Sequence, residues 1–218
     1  MRTEIVTKPL SEPVLLEEFK DHLKLDGSEE DSSLGALITA ARTHIEDYLD
    51  LALIDRTVDY FMDAWPTEQT FRNSGGAYEP WWSGVADGSL AALSSARLFA
   101  PISIRPARQV DSISVFAADG SEVVWGADNY YLKPGLYPGI TRRNGRRWPV
   151  PGRFMDGIKV RLTVGFGPDW NDVPASIRQA VLMLAAHMYS YRGEKNMDAG
   201  MKASGVMSLL RPFREKRL

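Results

Sequence analysis

The residues best equipped for chemistry are arginines. Arg142-Arg143-Asn144-Gly145-Arg146-Arg147 is followed closely by Trp148 and Arg153. Guanidinium groups grip phosphates and carboxylates through paired N–H donors. Asn-Gly is a strong signal for a two-residue hairpin turn, which would set the arginines on two arms that fan outward. Such a tip either meets a partner's acidic groups or is simply solvated. A second feature is Trp81-Trp82 in a Gly/Ser/Pro setting. Adjacent tryptophans suit an interface anchor, or a lid folded back on the chain's own sheet. The third is the C-terminal segment, where Val206, Leu209, Leu210 and Phe213 are apolar and Arg211, Arg214, Lys216 and Arg217 outweigh Glu215. An apolar, basic segment of this kind docks, either on its own domain or on another protein.

The inventory for catalysis is short. Among 218 residues there is no cysteine and there are three histidines, His22, His44 and His187. That removes disulfides, thiolate nucleophiles and zinc–thiolate sites, and makes a histidine-rich metal centre improbable. No phosphate-binding Gly-x-x-x-x-Gly-Lys loop, Gly-x-Ser-x-Gly elbow or His-Glu-x-x-His pair occurs. Gly165-Phe166-Gly167 lacks the third glycine of a dinucleotide loop and is followed by Pro168, so it reads as a strand end turning toward a helix. His187 reads as an interior or interface histidine, while His22 and His44 fall on charged helix faces. We expect no catalytic residues, no metal and no cofactor; the chain is not expected to be an enzyme.

The elements that must carry these features follow from composition and period. The chain is 44% hydrophobic and 25% charged, with a formal net charge of −2. That supports a buried core without staples and argues against binding nucleic acid over the whole surface. Met1 to Lys8 lacks the apolar run of a signal peptide, and Ala180 to Ala186 is far below the ~20 apolar residues of a spanning helix. Residues 1–55 read as helical. Leu16, Phe19 and Leu23 mark a short amphipathic helix stopped by Asp26-Gly27. Leu34, Leu37, Ile38, Ala41, Ile45, Tyr48 and Leu49 mark a longer one, started by oxygens of Ser28 to Asp31, with Arg42 and Glu46 pairing weakly on its outer face.

From residue 56 the period falls to two. Strands are expected around Val58–Met62, Ile113–Ala117, Glu122–Trp125, Tyr130–Lys133, Gly139–Arg142 and Lys159–Phe166, with a hairpin turn at Asp119-Gly120. They follow one another through turns, which favours antiparallel pairing. Residues 66–100 have loop composition. A third helix starts near Pro174 and buries Ile177, Val181, Leu184, Met188 and Tyr191. The expected fold is α+β. It comprises a bundle of three main helices (1–55 and 174–192), an inserted antiparallel β region (56–173) and a linker with an extended C-terminal tail (193–218).

The order of these blocks resembles a known family. Val14-Leu15-Leu16-Glu17-Glu18-Phe19 to Asp26 is similar to its opening helix. Ala40-Ala41-Arg42 to Tyr48 and Ala52-Leu53-Ile54 are similar to its second block. Asp119-Gly120, Tyr131 and Gly139-Ile140 to Trp148-Pro149 resemble its β region. Gly165-Phe166-Gly167, Val173-Pro174, Ile177, Ala180, His187, Tyr189 and Arg192 resemble its third-helix block, and Val206 to Arg214 its ending. The family is the head–tail connector, or adaptor, of tailed bacteriophages and gene-transfer particles. Leu15 stands where that family commonly has a capping Ser or Thr, and residues 66–100 are a longer insertion than usual.

The resemblance implies a structural protein made in the host cytoplasm and incorporated in the virion neck. It would form a homo-oligomeric ring, usually of about twelve copies, whose subunit faces close after a fixed rotation. The ring would sit between the portal protein and the next stopper or tail protein and extend the DNA channel. It implies portal binding by Val206, Leu209, Leu210, Phe213 and Arg214. Arg142, Arg143, Arg146, Arg147, Trp81 and Trp82 are the expected partner or subunit contacts. DNA would pass through a mildly acidic lumen without specific binding, so the arginines are expected to face protein. No membrane contact is implied. Two other readings remain at this point: a tail-completion or stopper component, and a nucleic-acid-binding module using the arginine-rich turn.

Overall fold

The computed structural model describes residues 2–65, 99–192 and 197–214; Trp81 and Trp82 lie outside them. Along these residues the order is β1 (Arg2–Ile5), α1 (Leu16–Leu23), α2 (Asp31–Leu49), β2 (Arg56–Met62), β3 (Phe99–Pro101), β4 (Ala107–Phe116), β5 (Glu122–Trp125), β6 (Tyr130–Lys133), β7 (Gly139–Arg142), β8 (Ile158–Val164), α3 (Ala175–Ser190), α4 (Met197–Ala203) and α5 (Val206–Leu210). The class is α+β, as expected. The chain divides into two compact units, each made of two separate stretches: Met1–Val6 with Thr57–Thr163, and Thr7–Arg56 with Val164–Leu218.

The helical unit is organised around α2 and α3. Leu34, Ile38, Ala41, Ile45 and Leu49 recur at helical spacing on α2 and are all buried, as are Ile177, Ala180, Val181 and Leu184 on α3. Phe19 of α1 is wholly buried. Both helix boundaries near residue 26 differ from the expectation. α1 ends at Lys24, which takes up the left-handed conformation (φ 55°) and returns its N–H to Asp21 O at 3.2 Å. α2 starts at Glu30 without a side-chain cap; the backbone carbonyl of Ser28 receives the Asp31 N–H instead, at 3.3 Å. Arg42 and Glu46 are not a weak outer-face pair. Both are buried, and they belong to the ion-pair chain described below.

Gly165-Phe166-Gly167 closes this unit. Phe166 N–H donates to Leu53 O (3.1 Å) and Asp55 N–H donates to Gly167 O (2.9 Å). Gly165 has φ 139°, and a Cβ there would lie 2.6 Å from the Asp55 backbone nitrogen. The glycine is therefore required by close backbone approach and not by a phosphate.

The other unit contains two sheets. One has the order β1-β2-β8-β4-β5 and the other β3-β7-β6. β1–β2, β4–β5, β3–β7 and β6–β7 pair antiparallel. The Asp119-Gly120 turn between β4 and β5 forms as expected: Gly120 N–H reaches Ala117 O (3.0 Å), and Asp119 Oδ1 accepts from both Ser121 N–H (2.9 Å) and Ser121 Oγ (2.7 Å). Those bonds to the charged form hold the Asp119 carboxyl below the usual range.

Two strands fall where none was expected. Arg2–Ile5 is an edge strand and not part of a helical segment, and Phe99–Pro101 takes up the last of the residues assigned to the long loop.

Candidate functional site

The arginine-rich turn is real, but its arms do not form a hairpin. Arg146 N–H donates to Arg143 O (3.1 Å), closing a four-residue turn with Gly145 at φ 76°. Asn144 does not share that positive φ, so this is not the primed turn that continues two strands. β7 ends at Arg142, and residues 146–150 leave without pairing. The four arginines are accordingly unlike one another. The Arg142 guanidinium donates to the Arg146 carbonyl. Arg143 lies over the Tyr131 ring at 4.1 Å and donates through Nε to Tyr130 O at 3.3 Å. Only Arg146 and Arg147 project into solvent.

The C-terminal segment is helical and not extended. Val206 and Leu210 are completely buried in the helical unit, where α5 packs on α3. Gly205 (φ 75°) makes the break between α4 and α5, so part of the expected linker is itself a helix. Leu209 and Phe213 are partly exposed and Arg214 is exposed, its guanidinium 5.4 Å from the Tyr48 ring centre. Of the five residues the resemblance assigned to the portal, Val206 and Leu210 thus hold the segment to its own chain, and three face outward to different degrees.

No curated protein matches the chain. Residues 13–73 match the family described as phage gp6-like head–tail connector protein. Among solved structures, a chain from the neck of an empty gene transfer agent (GTA) particle, computed with C6 symmetry, is 26% identical. It superposes with a TM-score of 0.75 over 100% of this chain and 97% of that one. A chain of the native GTA virion is 25% identical, with a TM-score of 0.71 and the same coverage. A chain of the native neck computed with C12 symmetry shares the fold at 24% identity and a TM-score of 0.71, again over 100% and 97% of the two chains. Residues 13–73 are thus similar to the head–tail connector family, and the whole chain is similar to a chain of the GTA neck.

Two features of the structure are invisible to motif reading. The first is a loop, residues 149–156, that is fixed at many points yet displays apolar side chains. Pro149 O accepts from Trp65 Nε1 (2.8 Å), and Gly152 N–H donates to Phe116 O (2.8 Å). Arg153 lies over the Phe116 ring at 3.7 Å while Nε and Nη2 donate to Asp156 O at 3.0 and 2.7 Å. Asp156 N–H donates to Asp63 Oδ1 (2.9 Å) and its carboxylate meets Arg2 Nε (3.1 Å). Between these anchors Phe154 is 99% exposed and Val150 88%. Beneath the start of the loop, Trp65 and Trp148 stack at 4.2 Å, with Trp125 5.9 and 5.5 Å from them.

The second feature is charge paired within each unit. In the helical unit, Arg42 bonds Glu12 (2.7 Å) and Glu46 (2.8 Å), and Arg56 bonds Glu46 (2.9 Å). Glu46 Oε1 also accepts the Leu53 N–H at 2.8 Å. In the β unit, β8 alternates buried Ile158, Val160 and Leu162 with Lys159, Arg161 and Thr163. That polar row reaches Glu122 (2.7 Å), Asp59 (2.7 Å) and Asp111 (3.1 Å). The Arg161 hydrogen bond holds the Asp59 carboxyl low, and the Lys159 bond does the same for Glu122. His44 is half-buried, and His187 packs against Tyr191 at 4.7 Å. Among the described residues, no group of three or more His, Asp or Glu has the geometry to hold a metal.

Proposed function

We propose that this protein is a head–tail connector, a structural protein of the virion neck. Copies of it form a ring below the portal, extend the DNA channel and receive the next tail component. The observation that carries this reading is the end-to-end likeness to a GTA neck chain, over 100% of this chain and 97% of that one. The C6 and C12 symmetries of the neck structures support a closed ring. The role is one of assembly and not of catalysis: rigid cores, fixed turns and surfaces of defined charge suit a part that must fit its neighbours.

Portal docking falls to the C-terminal segment. Val206 and Leu210 seat α5, and Leu209, Phe213 and Arg214 form the outward contact. Each contact is small, but copies arranged on a symmetric ring gain avidity on a symmetric partner. The test is deletion of residues 204–218 in a producing strain, with electron microscopy of the particles. Heads lacking a connector ring are the expected product. Normal joining of heads to tails by the truncated chain would refute portal docking through this segment.

A further inference from the structure

The loop at 149–156 and the surface around α1 complement one another in both hydrophobicity and charge. Phe154 and Val150 stand almost fully in solvent, and Met155 is 76% exposed. An exposed apolar side chain is ordinary; three on one loop held by a network of hydrogen bonds and ring contacts are not. Their order is already established before any partner arrives, so binding loses little further entropy. Arg146 and Arg147, just upstream, are exposed and meet no carboxylate among the described residues. This surface is apolar and basic.

The opposite composition occurs on the helical unit. Leu10 is 99% exposed and Leu15 44%, and the outer face of α1 presents Glu17, Glu18 and Asp21 to solvent. This stretch is also fixed: Ser11 Oγ donates to Pro168 O at 2.7 Å and Glu12 is held by Arg42 at 2.7 Å. Acidic residues dominate it: between residues 7 and 26 the sequence has Glu12, Glu17, Glu18, Asp21 and Asp26 against Lys8, Lys20 and Lys24, while Arg142 to Arg153 contains no acid. A surface that is apolar and acidic on one unit, and one that is apolar and basic on the other, are matching halves of a head-to-tail contact.

We propose that the Phe154 loop is the subunit-joining surface of the ring, and that its occupant is a second copy of this chain. Phe154 and Met155 seat against Leu10 and Leu15 of the neighbour, and Arg146 and Arg147 pair with Glu17 and Glu18. The inference rests on the ring reading above and specifies which surfaces close the ring.

The test uses the full chain, with ring formation scored by electron microscopy of assembled necks. Phe154→Ser should leave thermal unfolding unchanged, because the side chain touches so little of its own chain, and should cut ring yield about tenfold or more. Arg146→Glu with Arg147→Glu should do the same, and adding Glu17→Arg and Glu18→Arg to that chain should restore rings. The chain has no cysteine, so a Met155→Cys, Leu10→Cys chain should give covalent ladders on oxidation where either single variant does not. Intact rings from Phe154→Ser, or no rescue and no ladder, would overturn this interface while leaving the ring reading in place. A Phe154→Ser ring that forms but fails to join the next neck component would assign the loop to that component instead, against the proposal. Absence of rings from the unaltered chain would remove the ring reading itself, and this interface with it.

Discussion

Arg161 holds Asp59 with one edge of its guanidinium, Nε to Oδ1 and Nη2 to Oδ2, each at 2.7 Å. The carboxylate is 7% exposed and sits on β2, a strand whose two faces are both covered from Val58 onward. A carboxylate in that position is tolerable only because its charge is met twice.

Acid should therefore weaken the β unit in a particular way. The folded-state pKa of Asp59 is depressed by Arg161, and that of Glu122 by Lys159. Depressed carboxyls contribute stability that is present above their unfolded values, about 4. It is lost as pH falls through the folded values. Asp59→Asn should be less stable than the parent by about 2 kcal/mol at neutral pH. The gap should narrow on acidification below about pH 4. Urea midpoints at both pH values check this, and an unchanged gap would contradict it.

Glu46 meets Arg42, Arg56 and the Leu53 N–H. Glu46→Ala leaves Arg56 without its carboxylate, Arg42 with Glu12 alone, and the Leu53 N–H without its acceptor. The expected loss is about 2–4 kcal/mol, since a buried N–H and a largely buried guanidinium both lose their acceptor. Equilibrium denaturation measures it. Glu46→Gln, which can still accept the N–H, should lose less.

Stability and docking should separate in the C-terminal segment. Leu210→Ala empties a fully buried site and should destabilise the helical unit by about 2–4 kcal/mol. Phe213→Ala should change the melting temperature little and reduce incorporation of the protein into particles. A Phe213→Ala chain that incorporates normally would remove Phe213 from the proposed portal contact.

The arginine-rich turn should not make this a DNA-binding protein. Two of its four arginines are committed to the chain's own backbone and rings. Fluorescence anisotropy with a short duplex should show no binding at physiological salt. A tight, steeply salt-dependent association, lost in Arg146→Glu with Arg147→Glu, would instead place the turn on DNA.

What could be read in advance divides along physical lines. α2 was legible because its long apolar stripe repeats at helical spacing, and β8 because Ile158, Val160, Leu162 and Val164 alternate without interruption. β1 was not, because a four-residue edge strand is specified by its neighbour and not by its own pattern. Asn144-Gly145 correctly signalled a turn, but a dipeptide does not determine turn type, and turn type decides whether strands follow. The buried pairing of Arg42 with Glu46 hides in the same way: i,i+4 spacing is identical on a wet and a dry face. The Phe154 loop leaves no trace in periodicity at all, because its order comes from Asp63, Phe116 and Arg2, far away in the chain.

Each unit's division into two stretches bears on the order of synthesis. While the ribosome is still making the β strands, the apolar stripe of α2 has been exposed for more than a hundred residues without α3 to cover it. Likewise β1 waits for β2 across the whole of α1 and α2. Long-range closure of this kind is slow compared with local helix formation. Neither unit can be finished until its second stretch has been made, so each core is completed only well after its first stretch has left the ribosome.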